Sequence, residues 1–283
     1  MRQRIAESVK TKFFPLKWSV IVTKDSQPLD MYAEPKKIAD IRDCYFYHTI
    51  DVPGYGTVNG NWDLRRGLNE YLGNVDFLGK RVLDVGTANG VLCFEMERQG
   101  AEIVAFDLSR DEKWDMVPFA RWKEYEAISE DRKRIIDRLN NAYWFCHERL
   151  NSKAKVVYGN VYAIPVEIGP VDVAVYGSIL LHIRDPFLAL QSGARLTRET
   201  IIITEVHRGL TQKTSGPFMQ FLPDPDTVEP KDTWWDLRPE VIVRMIGVLG
   251  FEDAKVTYHT QLYDGKENQL YTVVGRRTIG FLD

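Results

Sequence analysis

The chain has 283 residues, 44% apolar and 27% charged, with a formal net charge of -3. That composition belongs to a globular protein with a sizeable core, and its mild negative charge argues against a broad electrostatic grip on nucleic acid while leaving room for a local basic patch. Cys44, Cys93 and Cys146 fit neither a disulfide framework nor a zinc motif, no apolar run approaches the ~20 residues that span a bilayer, and no compact apolar leader is visible, so the expectation is a soluble, cytoplasmic protein.

In chain order, residues 1–24 carry Arg2, Arg4, Lys10, Lys12, Lys17 and Lys24 against Glu7 alone. They read either as a basic arm for phosphates or as a solvated helix face leading into a strand over 18–23. Residues 27–43 are polar and proline-punctuated, a linker or short helix. Residues 46–63, FYHTIDVPGYGTVNGNWD, are rich in aromatics and glycine without a helical period. They form either a loop covering a ligand pocket or a packed hairpin. A short amphipathic helix is expected over 64–72, stopped by Gly73.

From residue 79 onward strand and helix signals alternate. Apolar runs at 82–85, 103–106, 156–158, 171–176 and 201–204 are separated by helical patterns, the signature of an α/β fold with a doubly wound, mostly parallel sheet. The connection 108–155 is long. Its second half is a helix in which Ser129 caps and Ile135, Leu139, Ala142, Cys146 and Leu150 form one core-facing stripe. Trp114 and Trp122, ahead of it, are assigned structural roles, with a pocket wall as the alternative. Asp185 and Pro186 open a helix reaching 196, after a turn that holds His182. Residues 211–239 contain five prolines and the pair Trp234-Trp235, and read as a lid-like insertion. A helix over 240–249 and an antiparallel hairpin, 254–260 with 269–276, complete the chain.

The chemistry is concentrated in RVLDVGTANGVLCF, residues 81–94. A strand, a tight turn bracketed by Gly86 and Gly90, and a helix leave backbone N–H groups beside a ligand. Asp107, closing the next strand, is suited to a ribose diol. A dinucleotide fingerprint would need glycine where Ala88 and Val91 stand. Asp84, two residues ahead of Gly86, would repel a pyrophosphate and suits a ligand carrying ammonium and sulfonium charges.

These motifs resemble the class I S-adenosylmethionine (SAM)-dependent methyltransferases over residues 79–205. Asp84, Gly86 and Gly90 match the first motif, with Ala88 at its middle glycine, and Asp107 matches the ribose-binding acid. Gly159-Asn160-Val161 stands at the adenine position, Val171 to Pro186 resembles the fourth strand and following helix start, and Gly250-Phe251 the late turn. The resemblance implies a seven-stranded Rossmann-like sheet and a cofactor site formed by Asp84, Gly86, Thr87, Ala88, Gly90, Asp107, Leu108, Asn160, Val161 and Gly177. Tyr47-His48-Thr49-Ile50-Asp51 with Trp62-Asp63 is similar to a bacterial subgroup related to tRNA wobble-uridine carboxymethyltransferases, in which this segment closes over the cofactor.

The expected division is an extension, 1–75, covering the cofactor site, and a SAM-binding domain, 76–283, with the lid at 211–239. The expected reaction is in-line attack of an acceptor on the sulfonium methyl group, where positioning and desolvation supply most of the rate. His182, His48, His207 and Glu205 are the candidate bases, and Trp62, Trp234 and Trp235 the candidate acceptor contacts. A small-molecule acceptor leads. An RNA acceptor, with SAM or carboxylated SAM, and a non-catalytic SAM-binding module are the alternatives. No metal site and no membrane contact are expected, and the oligomeric state is left open.

Overall fold

The computed structural model describes residues 31–208 and 216–280. The basic arm, the strand expected over 18–23 and the first residues of the lid lie outside the described residues. The elements are strands β1 (Ile50–Val52), β2 (Gly56–Val58) and β3 (Trp62–Asp63), helix α1 (Leu68–Tyr71), β4 (Arg81–Val85), α2 (Val91–Arg98), β5 (Glu102–Asp107), α3 (Tyr125–Leu150), β6 (Lys155–Tyr158), β7 (Val171–Gly177) and α4 (Pro186–Ala194). There follow β8 (Thr197–Val206), β9 (Met219–Phe221), β10 (Trp235–Leu237), α5 (Pro239–Val248), β11 (Asp253–Tyr263) and β12 (Lys266–Arg276).

The main sheet runs β3-β11-β12-β8-β7-β4-β5-β6. Strands β6, β5, β4, β7 and β8 are parallel, and β12 enters antiparallel between β8 and β11. The seven expected strands are present, and the two-residue β3 adds an eighth at the edge. Parallel strands must be covered on both faces, which is why they read as unbroken apolar runs. Val82, Val173 and Ile202 belong to the core on one face; Leu83, Ala174 and Ile203 belong to the core on the other. The chain winds outward from β4 through β5 to β6, then restarts at β7 on the opposite side. That reversal opens a crevice at the carboxyl ends of β4 and β7, where open α/β sheets bind ligands.

Two helices depart from expectation. The one expected over 64–72 shortens to the single turn α1. Asp63 Oδ1 accepts from the backbone N–H of Arg65 at 3.2 Å and Leu64 O from Gly67 at 3.0 Å, so the first residues form turns instead. Helix α3 begins at Tyr125, ahead of Ser129, and at ~1.5 Å per residue its 26 residues outrun the four-residue strand β6. Ala142 and Cys146 are therefore fully buried, whereas Ile135 and Leu139 of the same stripe border a cavity.

Residues 46–63 prove to be both a hairpin and a cavity wall. β1 and β2 pair, and the preceding segment is fastened to α3: Tyr45 N–H donates to Arg138 O at 2.8 Å, and Arg138 Nη2 donates to Cys44 O at 2.9 Å. The described part of the 211–239 stretch is anchored in the same way, through the β9–β10 hairpin and a hydrogen bond from Trp234 N–H to Leu181 O at 2.8 Å.

Candidate active site

The glycine turn after β4 alternates left-handed residues, with φ of +79° at Gly86, +52° at Ala88 and +87° at Gly90. A Cβ at Gly90 would stand 2.3 Å from the Phe94 ring and 2.9 Å from Tyr143, so packing as well as backbone requires glycine there. Ala88 carries its Cβ in that region at a cost of about 1 kcal/mol. Its N–H offsets this by donating to Asp107 Oδ2 at 2.7 Å, while Leu108 N–H donates to Asp107 Oδ1 at 2.7 Å. Burial pushes the Asp107 carboxyl up to about 6 and these two donors hold it from rising further. Each carboxylate oxygen keeps a lone pair, and the residue lines the cavity.

Asp84 is fully buried and stands behind the turn, off the cavity wall. Burial pushes it up to about 7; the Thr87 hydroxyl favours the charged form and the nearby Asp107 opposes it. Neither carboxylate oxygen, nor Thr87 Oγ1, is within hydrogen-bonding geometry of a partner.

The crevice holds a cavity of about 880 Å³. On the nucleotide-suited side its wall comprises Gly86, Ala88, Asp107, Leu108, Asn160, Val161 and Gly177. Asn160 Oδ1 caps the turn that follows it by accepting Tyr162 N–H at 2.9 Å. On the other side stand Tyr45, Tyr47, His48, Trp114, Arg132, Ile135, Leu139, His182, Asp232 and Tyr263. Tyr47 lies in the segment expected to cover a pocket, whereas Tyr45, Tyr263 and the α3 face with Arg132, Ile135 and Leu139 carry no such expectation. The available signal was the period-two aromatics at 45 and 47, which place both rings on one side of an extended chain. Trp114 takes the pocket role that was its alternative, whereas Trp122 packs edge-on against Tyr125 with ring centroids 5.1 Å apart.

His182 ends a one-turn helix, Leu180–His182, whose first N–H donates to Glu205 Oε1 at 2.8 Å. His182 Nδ1 lies 2.6 Å from Asp232 O. A carbonyl only accepts, so Nδ1 holds the proton and Nε2 a lone pair. Burial, the larger effect, lowers the His182 pKa, keeping the ring neutral. Asp232 is itself held by an ion pair to Arg132 Nη2 at 2.7 Å. His48 also lines the cavity. Burial lowers it to about 4, against a smaller opposing effect of the Asn89 side chain, and its Nδ1 is sealed from water without a bonded partner.

The remaining candidates lie off the wall. Glu205, pushed up to about 8 by burial, caps the turn carrying His182 instead of facing the cavity. His207 packs against Tyr258 and Tyr271, with centroids 5.4 and 6.3 Å away. Trp62 stands behind Tyr47 and donates from Nε1 to its hydroxyl at 3.0 Å. Trp234 and Trp235 donate to Asp115 O at 2.7 Å and Arg184 O at 3.1 Å, tying together two loops that do line the cavity. Among the described residues no group of three or more His, Cys, Asp or Glu could hold a metal ion, and no helix is long and apolar enough to cross a membrane.

A family model described as a methyltransferase domain matches residues 61–241. The N-terminal domain of EvdMO1, crystallised in the presence of SAH and D-fucose, is 17% identical with a TM-score of 0.51, over 81% of this chain and 90% of that one. Magnesium protoporphyrin IX methyltransferase from Synechocystis, with bound SAM, is 10% identical with a TM-score of 0.44, over 75% of this chain and 77% of that one. The 1,6-didemethyltoxoflavin-N1-methyltransferase of Burkholderia thailandensis is 14% identical with a TM-score of 0.45, over 75% of each chain. Curated protein sequences give no match. The family match spans more than half of the sequence and takes in the glycine turn, Asp107 and His182: the chain belongs to the methyltransferase-domain family, as a SAM-dependent methyltransferase whose cofactor is S-adenosylmethionine.

Proposed function

We propose that the chain methylates a small-molecule acceptor seated between His182, residues 45–48 and the first half of α3. The observation that carries this reading is the hydrogen bond from His182 Nδ1 to Asp232 O at 2.6 Å, which leaves Nε2 as an acceptor on a residue of the cavity wall. A second support is the volume of about 880 Å³, near the top of the ~300–1,000 Å³ range of small-ligand sites, which leaves room beside a cofactor.

The donor set fits SAM. The lone pairs left on Asp107 are matched to a pair of ribose hydroxyls, and Gly86, Thr87, Ala88 and Gly90 supply the turn backbone. Leu108, Asn160, Val161 and Gly177 would flank the base and ribose. Asp84 would act through the turn: burial raises its pKa, and a cationic ligand nearby would draw it to the charged form. Bound there, the cofactor supplies an electrophilic methyl group on a positively charged sulfur. His182 Nε2 takes the acceptor's proton as the acceptor attacks, and His48, neutral at physiological pH, borders the same space. Residues 45–48 and Trp114 exclude water. In this reading the described part of the extension, 31–75, covers the cofactor site of the domain that follows it, residues 216–239 fix the loops of the mouth, and the protein works in the cytoplasm.

An RNA acceptor, as in the wobble-uridine resemblance, called for a basic face joining the N-terminal arm to Arg65 and Arg66. Arg65 is neutralised by Asp63 at 2.8 Å and Asp51 at 3.1 Å, which favours the small molecule. The test is incubation with methyl-labelled SAM and fractionated cell extract. Label in a low-molecular-mass product, lost in His182→Gln, is the expected result. Label in RNA, or SAM binding with no transfer to any fraction, overturns the reading.

A further inference from the structure

We infer that the acceptor is a hydroxylated aromatic or heteroaromatic molecule, lying flat among aromatic side chains with a polar edge on His182 and His48. This rests on the small-molecule reading above and narrows it. The acceptor side of the cavity offers ring and hydrocarbon surface. Tyr45, Tyr47, Tyr263 and Trp114 contribute ring surface, and Ile135 and Leu139 contribute hydrocarbon. The Tyr45 and Tyr47 hydroxyls are engaged with the protein: Tyr45 donates to Asn61 Oδ1 at 2.8 Å, and Tyr47 accepts from Trp62 at 3.0 Å. Two pairs of charges on the wall are matched with each other, Arg132 with Asp232 at 2.7 Å and Arg184 with Asp115 at 3.2 Å. His182 and His48 add two imidazoles to the same wall.

Such a wall suits a molecule with two apolar faces and polarity confined to its rim, which is the description of a hydroxylated ring system. The hydroxyl proton goes to His182 Nε2 as the oxygen attacks the methyl carbon, and the C–S bond breaks with its electron pair leaving on sulfur. A hexose of similar size carries hydroxyls around its whole perimeter. Hydroxyls dehydrated against ring faces lose their water partners, so a sugar binds this wall more weakly than a ring system with a polar rim.

The experiment measures binding to the SAH-saturated protein by equilibrium dialysis, with 2-naphthol, 2-methoxynaphthalene and methyl glucoside as probes. Expected are saturable binding of 2-naphthol, about tenfold weaker binding of the methyl ether, and weaker binding of the glucoside as well, with one lost hydrogen bond to the ring nitrogen setting the tenfold. His182→Gln should weaken 2-naphthol about tenfold with SAH binding unchanged. Tyr263→Ala, a rim position 38% exposed, should weaken it with the fold intact. Glucoside binding as tight as naphthol binding, or naphthol binding indifferent to both substitutions, overturns the inference. A labelled extract product without an aromatic chromophore overturns it too while sparing the small-molecule reading, whereas label in RNA overturns that reading itself.

Discussion

The side chain of Asn89 brackets the backbone of His48: Oδ1 accepts the His48 N–H at 2.8 Å and Nδ2 donates to the His48 carbonyl at 2.9 Å. Asn89 is fully buried and sits in the glycine turn, so the segment ahead of the family-matched region is locked onto the loop that faces the cofactor. Asn89→Leu leaves a buried donor and a buried acceptor unpaired, at about 1–3 kcal/mol each. Urea unfolding should report a loss of about 2–5 kcal/mol, and SAM titration a weaker affinity. A variant as stable as the parent would show that the bracket carries no weight.

The burial of His48 has a pH signature. Its pKa falls from 6.5 to about 4 in the fold, so between those values the unfolded chain binds a proton that the native protein does not. Stability must therefore rise with pH across that window and fall on acidification, by about 3 kcal/mol for a fully buried ring. Asp84, Asp107 and Glu205 are raised, bind protons more readily when folded, and tilt the curve the other way over the same range. The difference between wild type and His48→Gln isolates the histidine. Chemical denaturation at pH 4.5 and pH 7 should show the gap between the two proteins shifting in favour of the variant at the lower pH. Parallel behaviour at both values would mean that His48 is protonated in the fold or open to water.

Most of the sheet could be read from the sequence because buried parallel strands are apolar on both faces and need no partner to be recognised. The cofactor side was legible for a related reason: a strand, a glycine turn and an acid ending the adjacent strand are neighbours in any such fold. The acceptor side was not. Tyr45, Arg132 and Tyr263 come from three distant segments and meet only through α3 packing on the 41–48 stretch and β11 pairing with β3. Ile135 and Leu139 looked like core because periodicity reports which helix face is apolar, not whether protein or ligand covers it. Glu205 and the tryptophan pair were placed at the site by position along the chain, but their side chains turn to backbone groups that support it.

Trp234 and Trp235 are adjacent yet should respond differently. Trp234 is 6% exposed, donates to Asp115 O and accepts the Arg184 guanidinium over its ring at 5.1 Å. Its neighbour is only half-buried against Phe221 and Arg184. Trp234→Ala should cost about 3–5 kcal/mol and raise the acceptor KM through the loosened Asp115 and Arg184 loops, with SAM affinity little changed. Trp235→Ala should cost clearly less. Thermal denaturation and steady-state kinetics on both variants decide the matter; equal losses would mean that the pair acts as one unit.

Gly90 and Ala88 share a backbone region, and only one of them needs glycine. At Gly90 a Cβ meets the Phe94 ring at 2.3 Å, inside any real contact distance, and both Phe94 and Tyr143 are held in the core behind it. Gly90→Ala must move a packed aromatic and also accept a left-handed alanine, so the loss should exceed about 2 kcal/mol and SAM binding should weaken with it. At Ala88 the left-handed cost is already carried. Ala88→Gly relieves about 1 kcal/mol of strain, but the glycine also widens the unfolded ensemble by a comparable amount. The expected stability is therefore unchanged within about 1 kcal/mol, and the Asp107 carboxylate keeps its backbone donor, because glycine has the same N–H. SAM titration separates the two effects: affinity preserved in Ala88→Gly and reduced in Gly90→Ala means that the turn's geometry, not its missing glycine, governs the cofactor, and a reversal of that order would locate the control at residue 88.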